Sequence, residues 1–347
     1  MRALGKITIL IIVPFLTFGQ KLTYIPDNNF EQKLIHLEYD DVLDNWVLTE
    51  SIDTITSLTV NWEWISDLTG IEDFISLIYL DCSGNDLAEL NVSNNINLTH
   101  LDCHWNNLTE LDLSDNINLT HLDTYFNDSI GELNLSNNTS LLDLNCNGNN
   151  LSELNLSSNT ELTHLNCGNT NISSLDVSSN LELVYLQFGV SPTNNAKLLE
   201  LDVTNNLNLK LLDIYEHNLS ELDVSNNTEL IHLSCYNNNL TELDVSKNTE
   251  LIRLYCSGNN IECVQVWDVD YAIEQTYSFM NENNEVMGPY FNSGDAIWSL
   301  DCEYPPDNLI EKVVIKKVDI LGRDSNSSGL NIEIYDDGTA EKKYIIK

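Results

Sequence analysis

One short unit recurs along most of this chain. The phrase Leu-x-x-Leu-x-apolar-x-x-Asn fills residues 87–260, and its second leucine recurs at steps of 21, 22, 21, 21, 26, 21 and 21 residues. These leucines are Leu90, Leu111, Leu133, Leu154, Leu175, Leu201, Leu222 and Leu243. Each unit is too short to bury its own apolar side chains, so it must stack on its neighbours. The 26-residue step includes residues 191–197, where we expect a loop to bulge from the array.

This pattern resembles that of leucine-rich repeat proteins. Within a unit, the phrase at 240–248 is followed by a second one at 251–259, which resembles a bacterial class with nested periods of ten and eleven residues. The resemblance implies a β-rich repeat solenoid of about nine 21-residue coils, the first of them a degenerate turn from Leu58 to Leu80. A short strand on each side of a coil is one option.

Strand alternation explains the phrase. In Leu-Asp-Val, Leu and Val point inward and Asp points outward, and coils stacked about 4.8 Å apart build continuous apolar columns. The asparagine that ends the first half-unit turns the chain inward, where its amide can satisfy backbone groups that are otherwise buried and unpaired. We expect a structural role for this column: Asn95, Asn116, Asn138, Asn159, Asn180, Asn206, Asn227 and Asn248.

Five segments follow from the composition. Residues 1–20 have the basic start and 12-residue apolar run of a signal peptide, and that run is too short to span a membrane. Residues 21–57 form an N-terminal cap, in which Asp27 begins a helix that turns Phe30, Leu34 and Leu37 inward. The solenoid covers 58–260, a C-terminal cap 261–308, and a small β tail 309–347.

Charge separates the tail from the rest. The net charge of the chain is −39, yet residues 309–347 carry seven basic and seven acidic residues. Residues 22–308 carry five basic and 47 acidic residues, which disfavours nucleic acid and anionic membrane surfaces as partners. No transmembrane segment is predicted. We expect an exported protein, either secreted or held at the cell surface.

The tail resembles the C-terminal sorting signals of the type IX secretion pathway. The matching residues are the Asp-Ile-Leu-Gly-Arg turn at 319–323 and the closing segment 341–347. The resemblance implies a Gram-negative bacterium and the type IX secretion machinery as a partner. A plain terminal β-hairpin is the alternative.

The eight cysteines fall into two groups. Six occupy one inward slot of the second half-unit, where Thr124, Phe188 and Ile214 stand in other coils, and we expect them to be buried packing thiols. They are Cys82, Cys103, Cys146, Cys167, Cys235 and Cys256. The other two, Cys263 and Cys302, suggest a disulfide in an exported protein, and their surroundings resemble the disulfide-closed cap that follows related bacterial repeats.

The outward residues of the two half-units differ. The first half carries a nearly uniform acidic column, which indicates a solvated face or, as an alternative, a cation-binding face: Glu89, Glu110, Glu132, Glu153, Glu200, Glu221 and Glu242. The second half carries varied histidine and aromatic residues, which indicates a recognition surface. Candidate ligand-binding residues are His100, His104, Trp105, His121, Tyr125, Phe126, Tyr215 and Tyr236.

Catalysis and bound metals are not expected. On a strand, His100, Asp102 and His104 share one face, with His121 and Asp123 one coil away, a set able to bind Zn²⁺ but without an obvious second shell. We therefore predict no metal site and no cofactor. The sequence lacks the common hydrolase, metalloprotease and phosphate-binding motifs. The hypothesis is a non-catalytic recognition or adhesion module for a protein or glycan; the alternative is a structural envelope protein whose acidic face binds cations.

Overall fold

A computed structural model describes residues 20–276, 290–294, 296–300 and 302, together with the backbone of three tail strands. The predicted signal peptide lies outside the described residues, apart from Gln20. The longest helix in the described part of the chain has nine residues, so none of the described helices is able to cross a membrane.

The N-terminal cap combines a two-stranded antiparallel sheet with helices. Its elements are β1 (Leu22–Tyr24), α1 (Asn28–His36), β2 (Trp46–Leu48) and α2 (Thr49–Ile52). The predicted capping helix is confirmed: Asp27 accepts hydrogen bonds from the backbone N–H groups of Asn29 and Phe30, at 2.9 and 3.1 Å. Its second carboxylate oxygen accepts from the Ser66 N–H at 2.8 Å, which ties the cap to the first coil.

One parallel sheet runs the length of the solenoid. Its strands are β3 (Ser57–Thr59), β4 (Tyr79–Asp81), β5 (His100–Asp102), β6 (His121–Asp123), β7 (Asp143–Asn145), β8 (His164–Asn166), β9 (Tyr185–Gln187), β10 (Leu211–Asp213), β11 (His232–Ser234), β13 (Arg253–Tyr255) and β15 (Tyr290–Asn292). Each strand pairs with its equivalent one coil away, so that His100 lies opposite His121. The repeat thus places equivalent residues in straight columns.

The sheet uses only the second half of each unit. Among the described residues, the first half-unit forms a strand only at β12 (Leu243–Asp244), which pairs with β14 (Cys263–Gln265), and β14 with β16 (Ile297–Ser299). Elsewhere the first half keeps the predicted alternation without strand pairing: Val92 is buried and Asn91 exposed. The option of a strand on both sides of every coil is therefore wrong for the described coils. The outward Asp or Asn of the first half accepts from its own turn, as Asp112 does from the Ser114 N–H at 2.9 Å, and Asp244 in β12 does the same.

Buried asparagines bind successive coils together. The Asn116 amide donates to the carbonyl oxygens of Val92 and Asn95, in the preceding coil, at 3.0 and 3.1 Å. The other predicted asparagines of this column from Asn138 to Asn248 repeat the arrangement and are fully buried. Their predicted structural role is confirmed, and each amide joins two coils rather than only turning its own.

The cysteines divide as expected. The six in the inward slot are buried free thiols, and burial raises their pKa values, to about 12 for Cys146 and Cys256. Cys263 and Cys302 form the predicted disulfide, with Cα atoms 5.8 Å apart. The disulfide joins β14 to the end of the C-terminal cap, which also contains α3 (Val269–Thr276). In this cap β15 adds a parallel strand to the long sheet, so the cap continues the solenoid.

The tail contains a separate antiparallel sheet. Its strands are β17 (Val314–Asp319), β18 (Gly329–Tyr335) and β19 (Ala340–Ile345), with β18 in the centre. The segment 319–323, which carries the resemblance to a sorting signal, lies outside the described residues after Asp319.

Candidate functional site: the strand face

We use the name strand face for the outward side chains of β4–β11 and β13 and the two residues that follow the inward slot after each strand. The alternation within a strand fixes this surface: in β5, Leu101 points inward, while His100 and Asp102 are partly exposed. The predicted ligand-binding residues all lie on the strand face. They form two groups, one on β5 and β6 and one on the coils of β10 and β11.

Rings stack along the first column of the strand face. The His100 and His121 rings are parallel, with centroids 4.1 Å apart, and His164 and Tyr185 stack in the same way at 4.4 Å. Partial burial, and next the neighbouring His121, lower the pKa of His100. Coil stacking produces these contacts directly, because equivalent residues on paired parallel strands lie about 4.8 Å apart.

The second outward column of the strand face, two residues further along each strand, is acidic on β5 and β6. Asp102 accepts a hydrogen bond from Nδ1 of His104 at 2.5 Å, and Asp123 accepts from the Tyr125 N–H at 2.8 Å. Burial, and then the charge of Asp102, raise the pKa of Asp123. Ligand atoms of Asp102, His104 and Asp123 lie within 4.8 Å of one another. Three of the five residues considered for zinc are thus brought together, and the expectation of no metal stays a prediction.

An aromatic cluster follows β5 and β6. Trp105 stacks on Phe126 with centroids 5.0 Å apart, and Tyr125 meets Phe126 edge-on at 4.6 Å. Trp105 is 47% exposed and Phe126 39% exposed. The ring centroids of His104 and Tyr125 lie 6.5 Å apart. His104, Trp105, Tyr125 and Phe126 therefore form one continuous patch, as predicted.

The second group is a pair of parallel tyrosines. The Tyr215 and Tyr236 rings lie 4.7 Å apart at an angle of 6°. Gly189, one coil earlier, leaves room for them, because a Cβ atom there would come within 2.2 Å of the Tyr215 ring. Burial, and next the contact with Tyr215, raise the pKa of Tyr236 to about 12. These two tyrosines are separated along the sheet from the cluster on β5 and β6.

Two tryptophans extend the first group and were missed by the sequence analysis. The ring centroids of Trp62 and Trp105 lie 6.2 Å apart, and Trp64 lines an open surface groove together with both. Trp62 and Trp64 belong to the degenerate first coil, where the repeat phrase is hard to align. A usable signal exists: Trp62 stands two residues after the inward Val60, as Trp105 stands two residues after Cys103. Trp62 and Trp64 thus continue the strand face beyond its N-terminal end, next to Trp105 and Phe126.

The opposite half-unit has the predicted solvated character. Its glutamates, such as Glu110 and Glu132, are exposed. The neighbouring Asp or Asn uses one oxygen in its own turn, and this hydrogen bond lowers the pKa of Asp112. That turn accounts for the preference for Asp and Asn in this column.

Comparison with solved structures identifies the type of fold. The functional domain of InlJ from Listeria monocytogenes, which includes a cysteine ladder, is 26% identical over 79% of this chain and 72% of that one, with a TM-score of 0.52. Internalin C2 from the same species is 19% identical over 61% of this chain and 96% of that one, with a TM-score of 0.55. The fold is a leucine-rich repeat solenoid.

A leucine-rich repeat domain of APL1 gives a similar result, with 20% identity over 63% of this chain and 64% of that one, at a TM-score of 0.51. No protein-family model and no curated protein matches the sequence. Leucine-rich repeats are therefore established for this chain at the level of fold, with bacterial internalins among the similar structures.

Proposed function

We propose that this leucine-rich repeat protein is a non-catalytic recognition module that binds a protein through its strand face. The observation that carries the proposal is the set of partly exposed, mutually stacked rings on one half of several coils, opposite a nearly uniform acidic half. Aromatic rings that are rigid and partly exposed supply large contact area at a low entropic cost, and they dominate many protein interfaces. A glycan is the alternative ligand, because exposed rings also stack on sugars.

Charge complementarity defines the partner further. Residues 22–308 carry only five basic residues against 47 acidic ones, so a partner with a basic surface is attracted at long range and an acidic one is repelled. Asp102 and Asp123 add negative charge beside the rings. A basic protein surface therefore suits the strand face better than an acidic one.

The proposed location is outside the cell. A disulfide supports an oxidising compartment, since such bonds are rare in reducing cytosol. The proposed tail function is a type IX sorting signal, for which the compact three-stranded sheet of β17–β19 offers a distinct recognition unit. Fusing residues 309–347 to a reporter and measuring its export in a type IX-competent host tests this, and export at the level of an untagged reporter would contradict it.

The binding proposal is tested with the full chain. Immobilised protein is exposed to envelope and host proteins and to a glycan array, as wild type and as Trp105→Ala/Tyr125→Ala/Tyr236→Ala. The matched control, Glu110→Gln/Glu132→Gln/Glu153→Gln, changes three exposed residues of the acidic half. We expect a protein ligand that binds the wild type and the control but not the aromatic variant. Equal binding by all three proteins contradicts the assignment of the surface, and binding of glycans alone contradicts a protein ligand.

A further inference from the structure

The residue two positions after the inward slot has a left-handed backbone in nine coils. Its φ angle lies between +49° and +71° at Trp62, Gly84, Trp105, Phe126, Gly148, Asn169, Glu216, Asn237 and Gly258. Glycine and asparagine tolerate this conformation, whereas for other residues it costs roughly 1–2 kcal/mol. Four of these nine positions hold another residue, namely Trp62, Trp105, Phe126 and Glu216, and three of the four are aromatic.

These rings are only partly buried despite this backbone cost. Trp62 is 60% exposed, Trp105 47% and Phe126 39%. Trp64, also at positive φ, is 76% exposed. Rings in this backbone conformation that still face solvent gain less stability from burial than core residues do. Strained residues of this kind concentrate at functional sites.

The four rings form the wall of an open groove. The Trp62 ring lies over Gly84, where a Cβ atom would come within 2.3 Å of the indole. Trp62 and Trp105 have centroids 6.2 Å apart and are tilted by 45°, so their faces are not closed against each other. Only a glycine at position 84 permits this arrangement. The groove measures about 500 Å³.

Carboxylates stand among these rings. Asp86 and Asp128 line the groove and are exposed, and Asn107 adds an amide. No lysine or arginine is among the described residues that line it. Aromatic faces attract cations, and carboxylates add a charge partner for them. An anionic ligand is repelled, and a neutral sugar can donate hydrogen bonds to the carboxylates but has no positive charge to pair with them.

We propose that this groove binds an arginine side chain of a protein partner. Arginine fits better than lysine, because a planar guanidinium stacks on an indole while it bonds to a carboxylate. The inference rests on the proposed recognition function and names the chemistry that its N-terminal end recognises. We call this surface the aromatic groove, made of Trp62, Trp64, Trp105, Phe126, Asp86 and Asp128.

Peptide binding tests the ligand class. The full-length protein is titrated with an acetylated, amidated (Gly-Arg)₃ peptide and with its citrulline counterpart, which has nearly the same shape but no charge, while tryptophan fluorescence is recorded at low salt. We expect the arginine peptide to bind at least tenfold more tightly. Asp86→Asn/Asp128→Asn should remove most of that difference. Equal binding of the two peptides, or no binding of either, overturns the proposal.

Variants at the left-handed positions separate binding from folding. Trp62→Gly/Trp105→Gly should lose the arginine peptide, while its melting temperature falls no further than that of the control Asn169→Gly/Asn237→Gly. The control occupies the same backbone position in distant coils and should bind as the wild type does. A large fall in melting temperature for the tryptophan variant alone indicates a structural role for these rings and contradicts the proposal. Peptide binding that is retained by the tryptophan variant also contradicts the proposal.

The arginine proposal can fail while the proposed recognition function stands. If the arginine peptide does not bind, but a captured protein still depends on Trp105, Tyr125 and Tyr236, the ligand class is wrong and the recognition function stands. If neither depends on these rings, both proposals are wrong.

Discussion

The Nδ1 atom of His217 accepts a hydrogen bond from the backbone N–H of Leu198, at 3.1 Å. In the next coil the Asn238 side-chain oxygen accepts the equivalent bond from Leu219. The Nε2 atom of His217 bonds to the Phe188 carbonyl oxygen, as Asn238 bonds to Ile214. The histidine thus replaces an asparagine, and its longer side chain reaches across the coil that residues 191–197 lengthen.

This pairing makes the fold sensitive to acid. Because Nδ1 accepts and Nε2 donates, the ring must be neutral. Burial lowers the His217 pKa to about 4, below that of an unfolded histidine near 6.5. Protonation therefore favours the unfolded chain, and the free energy of unfolding should fall by up to about 3 kcal/mol as the pH drops from about 6.5 through about 4.

Denaturant titrations at pH 7, 5.5 and 4.5 check this effect. His217→Gln should lose stability at pH 7 but show a shallower fall below pH 6.5, whereas the exposed His36→Gln should follow the wild type. Burial also lowers the pKa values of His100 and His232. These two histidines add a smaller acid dependence of stability, which remains in both variants. An unchanged pH slope in His217→Gln contradicts the prediction.

Removing one asparagine of the inner column should weaken the whole array. Asn116→Ala leaves the carbonyl oxygens of Val92 and Asn95 buried without its amide, at a cost of roughly 2–4 kcal/mol. The control, Asn118→Ala, removes an exposed amide that donates to the Ile96 carbonyl oxygen, and should cost less than about 1 kcal/mol. Urea denaturation followed by circular dichroism measures both, and equal losses exclude the proposed bridging role.

Asp123→Asn should stabilise the protein at pH 7. Burial of the Asp123 carboxyl and the charge of Asp102 raise its folded-state pKa above the unfolded value, against hydrogen bonds from Tyr125 and Asn145 that lower it. The native state therefore holds the proton more tightly, so its stability falls as the pH rises through the folded pKa. Asn145 occupies the same column in the next coil and donates to Asp123 at 3.0 Å, so its amide must turn over to accept from the substituted side chain. We expect a gain of about 1 kcal/mol at neutral pH, from the lost repulsion.

Thermal melts of wild type and Asp123→Asn at several pH values measure this gain. Asp112→Asn, in the exposed turn of the opposite half, is the matched control, and it should not stabilise because hydrogen bonds to Ser114 favour the ionised form of Asp112. A gain that does not shrink as the pH is lowered would falsify the electrostatic explanation.

The six buried thiols should resist alkylation while the protein is folded. Burial raises their pKa values, and the thiolate is the reactive form. Iodoacetamide at pH 8 should label no cysteine in the native protein, six after unfolding, and eight after unfolding with reductant, counted by mass spectrometry. Rapid labelling of Cys103 in the native state would show that its coil opens locally.

The periodicity of the sequence was sufficient to predict the columns of the fold. Leucine spacing predicted the inner core, Asp27 predicted the cap helix, and the two cysteines outside the inward slot predicted the disulfide. These features depend on local residue type and on period, which are both visible in one sequence. The position of the sheet was less accessible, because both half-units have the same apolar alternation, and outward Asp or Asn side chains accept hydrogen bonds from their own turns in both, as Asp112 and Asp123 do.

The site was predicted in part. Trp105, Tyr125 and Phe126 share one surface as expected, because two coils repeat the same positions. Trp62 and Trp64 were missed since the first coil departs from the repeat phrase. The backbone conformation of Trp105 was also not apparent, although glycine and asparagine at the same position in other coils, such as Gly148 and Asn237, are the signal for it.

The asparagine bridges have a direction. The amide of Asn116 reaches back to Val92 and Asn95, and that of Asn248 reaches back to Val224 and Asn227, so each coil is completed by the coil that comes after it. A chain that leaves the ribosome or crosses a membrane N-terminus first therefore always exposes one incomplete coil at its growing end. Each further step of about 21 residues supplies the amide that completes the coil before it.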